Sequence, residues 1–283
     1  MKTRIISGTV GIIILVAAIF AALEFDTLII NVLLIIIGAI GVHEMLKTTG
    51  YVKSEFLLIS SLVYAVITPI VYSLGEIGSK FGFDFAIKSE VCLVFYCVII
   101  FAVSMFKHKD IKPTEVTFSF AATVAITFAF WSLAAVFGSA DGHGLFYFII
   151  VVIAAWGCDT GAYFIGCFFG KHKMAPEISP KKTVEGAVGG IVIDVLLMLL
   201  ACVIFNNLSV AKANIPVIVL ITPVLALSGI IGDLVFSYIK RDCGIKDYGK
   251  LIPGHGGVLD RFDSVAVVAP LMYIAVSNLP LVS

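Results

Sequence analysis

The chain has 283 residues, 60% of them hydrophobic and 13% charged, whereas a soluble domain has roughly 45–50% apolar and about 25% charged residues. That balance excludes an ordinary soluble globular domain and places the chain in the membrane class. Lys+Arg and Asp+Glu number 19 each, so the formal charge is zero and no basic excess points to nucleic acid as a partner.

The first apolar run follows Lys2 and Arg4; its length, and the runs behind it, favour a membrane span over a signal peptide. A spanning helix needs about 20 largely apolar residues. Nine segments qualify: 5–23, 27–45, 56–74, 90–106, 116–138, 144–169, 186–206, 214–239 and 264–281. The predicted fold is therefore an all-α polytopic membrane protein with nine transmembrane helices. Basic residues alternate between the loops, and the N-terminus and the even-numbered loops hold all but Lys80, Lys88 and Lys212. By the positive-inside rule the N-terminus is predicted cytoplasmic and the C-terminus external, as an odd number of spans requires.

Residues 1–140 read as scaffold helices almost free of ionisable groups, and 141–283 as a catalytic region with cytoplasmic loops at 170–186 and 240–263. His43 and Glu44, at the end of the second span, read as a surface pair without a functional role. Six cysteines are scattered without a CxxC pair or zinc-like spacing.

In the sixth span, Gly157, Gly161, Gly166 and Gly170 repeat at the four-residue spacing of close helix packing. Asp159 lies among them; an intramembrane carboxylate is a candidate site residue, for ligand contact or metal support, with a buried structural hydrogen bond as the competing reading. In the loop that follows, Lys181, Lys182 and Thr183 precede the seventh span, where helix N–H groups and the dipole favour an anion. A positive-inside anchor is the competing reading for Lys171 and Lys173. Asp194, in mid-span without a motif, reads as structural.

Asp233 opens a helical series in which Ser237, Lys240 and Arg241 follow four, seven and eight residues later, on one face. Such a row offers a carboxylate, a hydroxyl and two cations, suited to a divalent metal at one end and phosphate oxygens at the other. The loop beyond it holds Gly254, Gly256 and Gly257 around His255, letting backbone amides turn toward an anion. Asp260 and Asp263 are expected to share a face at the start of the last helix, an arrangement suited to Mg²⁺. Charges in water and glycines in turns are the bland alternative; the convergence of all three features within 31 residues favours a site for metal-dependent phosphate chemistry.

The run Ser237-x-x-Lys240-Arg241-x4-Lys246-Asp247-x-Gly249-x-x-Ile252-Pro253-x-His255-Gly256-Gly257-x-x-Asp260-Arg261-x-Asp263 resembles, without a departure, the signature of the phosphatidate cytidylyltransferases. Size and span count resemble the bacterial members. The resemblance implies transfer of the cytidylyl group of CTP to phosphatidate in phospholipid biosynthesis, giving CDP-diacylglycerol and pyrophosphate. It implies a cell-membrane location with the site on the cytoplasmic side, and a homodimer. Mg²⁺ is the expected cofactor, with a second cation left open. On this reading Asp233 and Asp260 are primary metal ligands, supported by Asp263 and Asp247. Lys240, Arg241, Lys246 and Arg261 clamp phosphates, and His255 is a phosphate contact. Ser237, Gly256, Gly257 and the segment Lys181, Lys182, Thr183 and Glu185, which resembles a second family segment, complete the nucleotide pocket. Two other classes remain open. A CTP-dependent kinase of a lipid alcohol would release CDP, and an ion-coupled transporter would use the intramembrane Asp residues as a path.

Overall fold

The computed structural model describes residues 2–80, 89–139 and 141–283; the predicted external residue Lys88 lies outside them. Eleven α-helices account for most of the described chain. Seven helical segments are long and apolar enough to cross a membrane: Ser7–Glu24, Leu28–Thr48, Glu55–Gly75, Pro113–Phe137, Gly144–Phe169, Val184–Leu208 and Ile215–Asp242. The other two predicted spans correspond to shorter apolar helices, Glu90–Phe106 and Val265–Asn278. The chain is an all-α multi-pass membrane protein with one small addition, a β-hairpin that the all-helical expectation did not contain.

The chain divides into two compact units, Met1–Ala134 with Ile245–Arg261, and Ala135–Gly244 with Phe262–Ser283. The first contains α1 (Lys2–Glu24), α2 (Leu28–Thr48), α3 (Glu55–Lys80), α4 (Ser89–Phe106) and most of α5 (Pro113–Phe137). Apolar residues surround these helices on every side, so burial follows contact between helices and not an amphipathic stripe. Ile30, Leu34, Val42 and Leu46 of α2 are buried with Leu57, Ile100 and Ile126. Gly38 allows α2 to approach Phe130 of α5, whose side-chain carbons would lie 3.3 Å from any added Cβ. Polar side chains also join α3, α4 and α5: Ser61 Oγ lies 2.8 Å from Tyr96 Oη and 2.9 Å from Ser119 Oγ. Interhelical hydroxyl bonds of this kind serve where water is absent.

The second unit is built on α6 (Gly144–Val152), a π-helical turn (Ile153–Gly157), α7 (Cys158–Phe169), α8 (Val184–Leu208), α9 (Ile215–Asp242) and α11 (Val265–Asn278). Helices α7 and α8 pack at backbone distance. A Cβ on Gly161 would meet Ile193 at 3.0–3.1 Å, and one on Gly190 would meet the Cys158 carbonyl oxygen at 2.8 Å. The glycine spacing read in the sequence is thus a helix-packing device, as expected. Between α7 and α8 the chain forms the antiparallel hairpin β1 (Lys173–Ala175) and β2 (Ser179–Thr183). Thr183 ends it and caps α8, its Oγ1 accepting the Gly186 N–H at 3.1 Å.

Candidate active site

The signature segment falls across both units: Ser237–Gly244 with Phe262 and Asp263 belongs to the second, and Ile245–Arg261 to the first.

In the second unit, the predicted face of α9 is present. Ser237 Oγ approaches Asp233 Oδ1 at 3.5 Å, a turn away on the same helix, and Ser237 and Lys240 are both buried. Arg241 is exposed and turns to the hairpin, its Nε donating to the Ile178 carbonyl at 3.2 Å. The centre of the cluster is Lys182, from β2. Its ammonium lies 2.5 Å from Asp233 Oδ2 and 3.8 Å from Asp159 Oδ1. Asp159 in turn accepts from Ser264 Oγ at 2.8 Å through Oδ2. The π-helical turn directly before Cys158 sets the angular register of Asp159; such turns insert a residue into a helix and recur at functional sites.

Asp263 is hydrogen-bonded to Asp233. Burial first, and the neighbouring Asp233 carboxylate second, push the Asp263 carboxyl above the usual carboxylate range. The cluster therefore brings Asp159 and Asp233 to one ammonium, with Asp263 joined to Asp233.

The expectation that Asp260 and Asp263 share a face of the last helix is corrected by the structure. Leu259–Phe262 forms only a four-residue helix, α10, and α11 begins at Val265. Asp263 and Ser264 form the break, where Asp263 Oδ1 accepts the Ser264 N–H at 2.9 Å, a local bond that competes with helix continuation.

The sequence placed Lys182, Thr183 and Glu185 in an anion pocket. In the structure their polar atoms face protein groups: Lys182 the two carboxylates, Thr183 the helix cap. Glu185 accepts the N–H of Lys171 at 3.0 Å and of His172 at 3.1 Å, and pairs with His172 Nδ1 at 2.5 Å. Glu185 thus ties the start of the hairpin loop to α8. Lys181 is exposed.

In the first unit, residues 245–261 fold around Asp260. Its Oδ2 accepts from Tyr248 N–H at 2.7 Å and Gly257 N–H at 2.9 Å, and Tyr248 is fully buried. Between them Ile252 and Gly256 form a β-bridge, with Ile252 N–H donating to the Gly256 carbonyl at 2.9 Å. Gly254 and Gly256 close this turn at φ 79° and 88°, a conformation open to glycine without strain. Ser7 of α1 donates its hydroxyl to the Pro253 carbonyl at 2.8 Å and lies 2.9 Å from His255 Nδ1.

An open groove of about 590 Å³ runs along this loop, lined by Lys246, Asp247, Lys250, His255, Gly256 and Arg261 among others. That volume lies within the roughly 300–1,000 Å³ usual for ligand pockets. Three of its side chains are cationic, so its chemistry suits an anion with several charges, such as a phosphate chain.

Glu44 overturns the sequence reading of a surface pair: it is 5% exposed and accepts the N–H of Val258 at 3.0 Å and of Leu259 at 2.9 Å. Sequence reasoning also missed Ser264 and Ser7, for which no local signal exists.

Among the described residues, no three His, Cys, Asp or Glu side chains form a group with metal-holding geometry. The donors around Lys182 are nonetheless hard carboxylate and hydroxyl oxygens, the set that Mg²⁺ prefers. A cation already stands among them in the form of the Lys182 ammonium. The donor chemistry fits a divalent metal.

Comparison with known proteins extends these observations to the whole chain. A model of the cytidylyltransferase family matches residues 2–279. The chain is 35% identical to the phosphatidate cytidylyltransferase of Bacillus subtilis (strain 168) over 278 residues, 96% of each chain. It is 31% identical to the phosphatidate cytidylyltransferase of Staphylococcus saprophyticus over 275 residues, covering 97% of this chain and 98% of the relative. With that of Haemophilus influenzae it shares 43% identity over 128 residues, 45% of this chain and 44% of the relative. A match of this extent, on a chain carrying an acidic cluster and a glycine-rich basic groove, has one reading: the chain belongs to the cytidylyltransferase family.

Proposed function

We propose that this protein is a phosphatidate cytidylyltransferase, converting CTP and phosphatidate to CDP-diacylglycerol and pyrophosphate. The observation that carries the proposal is the similarity along nearly the full chain to relatives bearing that name, supported by the groove of Lys246, His255 and Arg261. A phosphate oxygen of the lipid attacks the α-phosphorus of CTP. The new P–O bond forms as the bond to the β-phosphate bridging oxygen breaks, and pyrophosphate leaves with that electron pair. The attacking oxygen of a phosphate monoester is already ionised near neutral pH, so the protein needs no general base. Its work is to position two anions and offset their repulsion.

Lys246 and Arg261 in the first unit, and Lys240 and Arg241 in the second, are assigned to phosphate contacts, Arg by paired N–H donors and Lys as a point charge. His255 and the amide of Gly256 are assigned as further phosphate contacts, while the Gly257 amide is held by Asp260 Oδ2. Asp233 and Asp263 in the second unit, supported by Asp159, are proposed ligands of Mg²⁺, and in the first unit Asp260, supported by Asp247, is assigned the same chemistry. When bound, such an ion neutralises charge on the transferred and leaving phosphate oxygens. Lys182 balances the charges of Asp159 and Asp233.

The location follows from the same reading: the cell membrane, with the basic loops and the site on the cytoplasmic side, nine spans and a homodimer. Incubating purified protein with CTP, phosphatidate and Mg²⁺ tests the reaction. Appearance of CDP-diacylglycerol with equimolar pyrophosphate is expected; release of CDP instead would overturn cytidylyl transfer in favour of a kinase. Omission of Mg²⁺ with a chelator is expected to abolish turnover.

A further inference from the structure

Glu44 stands near the C-terminal end of α2 and has no role in the reaction described above. Both of its oxygens are committed to one stretch of backbone, Oε1 to Val258 N–H and Oε2 to Leu259 N–H. These amides open α10, where no preceding helical carbonyl is available to them. On the other side of the same turn Asp260 Oδ2 holds the N–H groups of Tyr248 and Gly257. Two carboxylates, 5% and 6% exposed, therefore grip neighbouring amides of a single loop.

Like charges buried close together disfavour one another, and an apolar side chain at position 44 would avoid the conflict. Only a carboxylate can accept from two successive N–H groups with two charged oxygens. The loop is shaped to this end. Gly257 and Gly249 pass directly against the carboxylate, and a Cβ on Gly257 would lie 2.5–2.7 Å from its atoms.

We infer that Glu44 is a positioning residue of the active site: by holding the Val258 and Leu259 amides it sets where Gly256 and Arg261 present themselves along the groove. The inference rests on the assignment of this loop to cytidylyl transfer. It goes beyond that assignment in placing a determinant of the loop on α2, 214 residues earlier in the chain.

The test uses the full-length protein in detergent and the variants Glu44→Gln and Glu44→Asp. Glu44→Gln keeps the side-chain size but sets an NH₂ donor against one of the two amides. Without metal or substrate, its Val258 and Leu259 amides are expected to exchange hydrogen for deuterium at least about tenfold faster than in the wild type, with residues 30–42 of α2 unchanged. Its kcat falls by about 10–100-fold, with KM for phosphatidate held within about twofold, as loss of loop geometry and not of lipid binding requires. Glu44→Asp, which retains the charge, recovers part of kcat. Wild-type exchange at 258–259 in Glu44→Gln, or wild-type kcat, overturns the inference. If Glu44→Gln fails to fold, exchange in the wild type decides: Val258 and Leu259 amides as fast as those of exposed Lys250 and Leu251 overturn it, and protection supports it. A wild-type protein that makes no CDP-diacylglycerol would refute the assigned reaction, while exchange at 258–259 would still decide the role of Glu44 in holding the loop.

Discussion

Removing the Lys182 ammonium is the most direct probe of the acidic cluster. In Lys182→Met, Asp233 and Asp159 lose the cation that lies 2.5 Å and 3.8 Å from them. Breaking a fully buried pair by deleting one partner costs about 3–5 kcal/mol. Here the Lys182 and Asp233 side chains are 21% and 22% exposed, so water recovers part of that, and a charged hydrogen bond of about 1.5–3 kcal/mol is the better guide. We expect a loss of about 2 kcal/mol, which for a chain of this length lowers Tm by about 4–8 °C. Thermal unfolding in detergent, followed by intrinsic fluorescence, measures it. The double variant Lys182→Met/Asp233→Asn, which also removes the stranded charge, should recover at least half of the loss, a coupling of about 1 kcal/mol or more in a double-mutant cycle. Mg²⁺ should raise the Tm of Lys182→Met more than that of the wild type, because the vacated position favours another cation. A Tm unchanged in the single variant, or strictly additive effects in the double, would refute the view that Lys182 is the counter-charge of this cluster.

Three further outcomes are expected. Gly190→Ala should destabilise by about 1–3 kcal/mol through overpacking, since its Cβ would lie 2.8 Å from the Cys158 carbonyl oxygen, whereas Gly75→Ala in α3, with no atom of the described residues within 4 Å, should be neutral or stabilising by up to about 1 kcal/mol. Equal thermal shifts in the two variants would remove the case for backbone-distance packing of α7 and α8. Asp233→Asn and Asp260→Asn should each lower CDP-diacylglycerol formation by at least about 100-fold in folded protein; near wild-type turnover would contradict their assignment as metal ligands.

The last concerns Asp141. Partial burial pushes its carboxyl up, but bonds from Tyr147 Oη, His143 N–H and Ser139 Oγ outweigh it and leave the group below its ordinary value. A depressed carboxyl stabilises the fold above the unfolded value of about 3.9 and ceases to do so as pH falls through the folded value. The stability gap between wild type and Asp141→Asn should therefore be full at neutral pH and close below about pH 4. A gap independent of pH would show that the carboxylate charge is not involved.

Much of the architecture was legible because a membrane imposes local rules. Apolar runs long enough to span and glycines four apart are each readable within a few tens of residues. So was the α9 face, since Asp233 and Ser237 lie one helical turn apart wherever the helix packs. The hairpin after α7 was not: Lys181, Lys182 and Thr183 carry the composition of an anion-binding helix start, and nothing local reveals that β2 turns Lys182 toward carboxylates from α7 and α9. The break at Asp263 was hidden for a related reason, because a carboxylate binding its neighbour's amide leaves no trace in hydrophobic periodicity.

The segment from Ser237 to Asp263 reads from its residues alone as a candidate for phosphate chemistry, because glycines, paired carboxylates and a row of cations each imply a physical capacity wherever they stand. How that capacity is held in place was decided by tertiary structure. Glu44 looks like any polar residue at a helix end until the fold brings Val258 and Leu259 to it from 214 and 215 residues away. Contacts at such separation are set by the packing of whole elements, and a single sequence records the side chain without its partner.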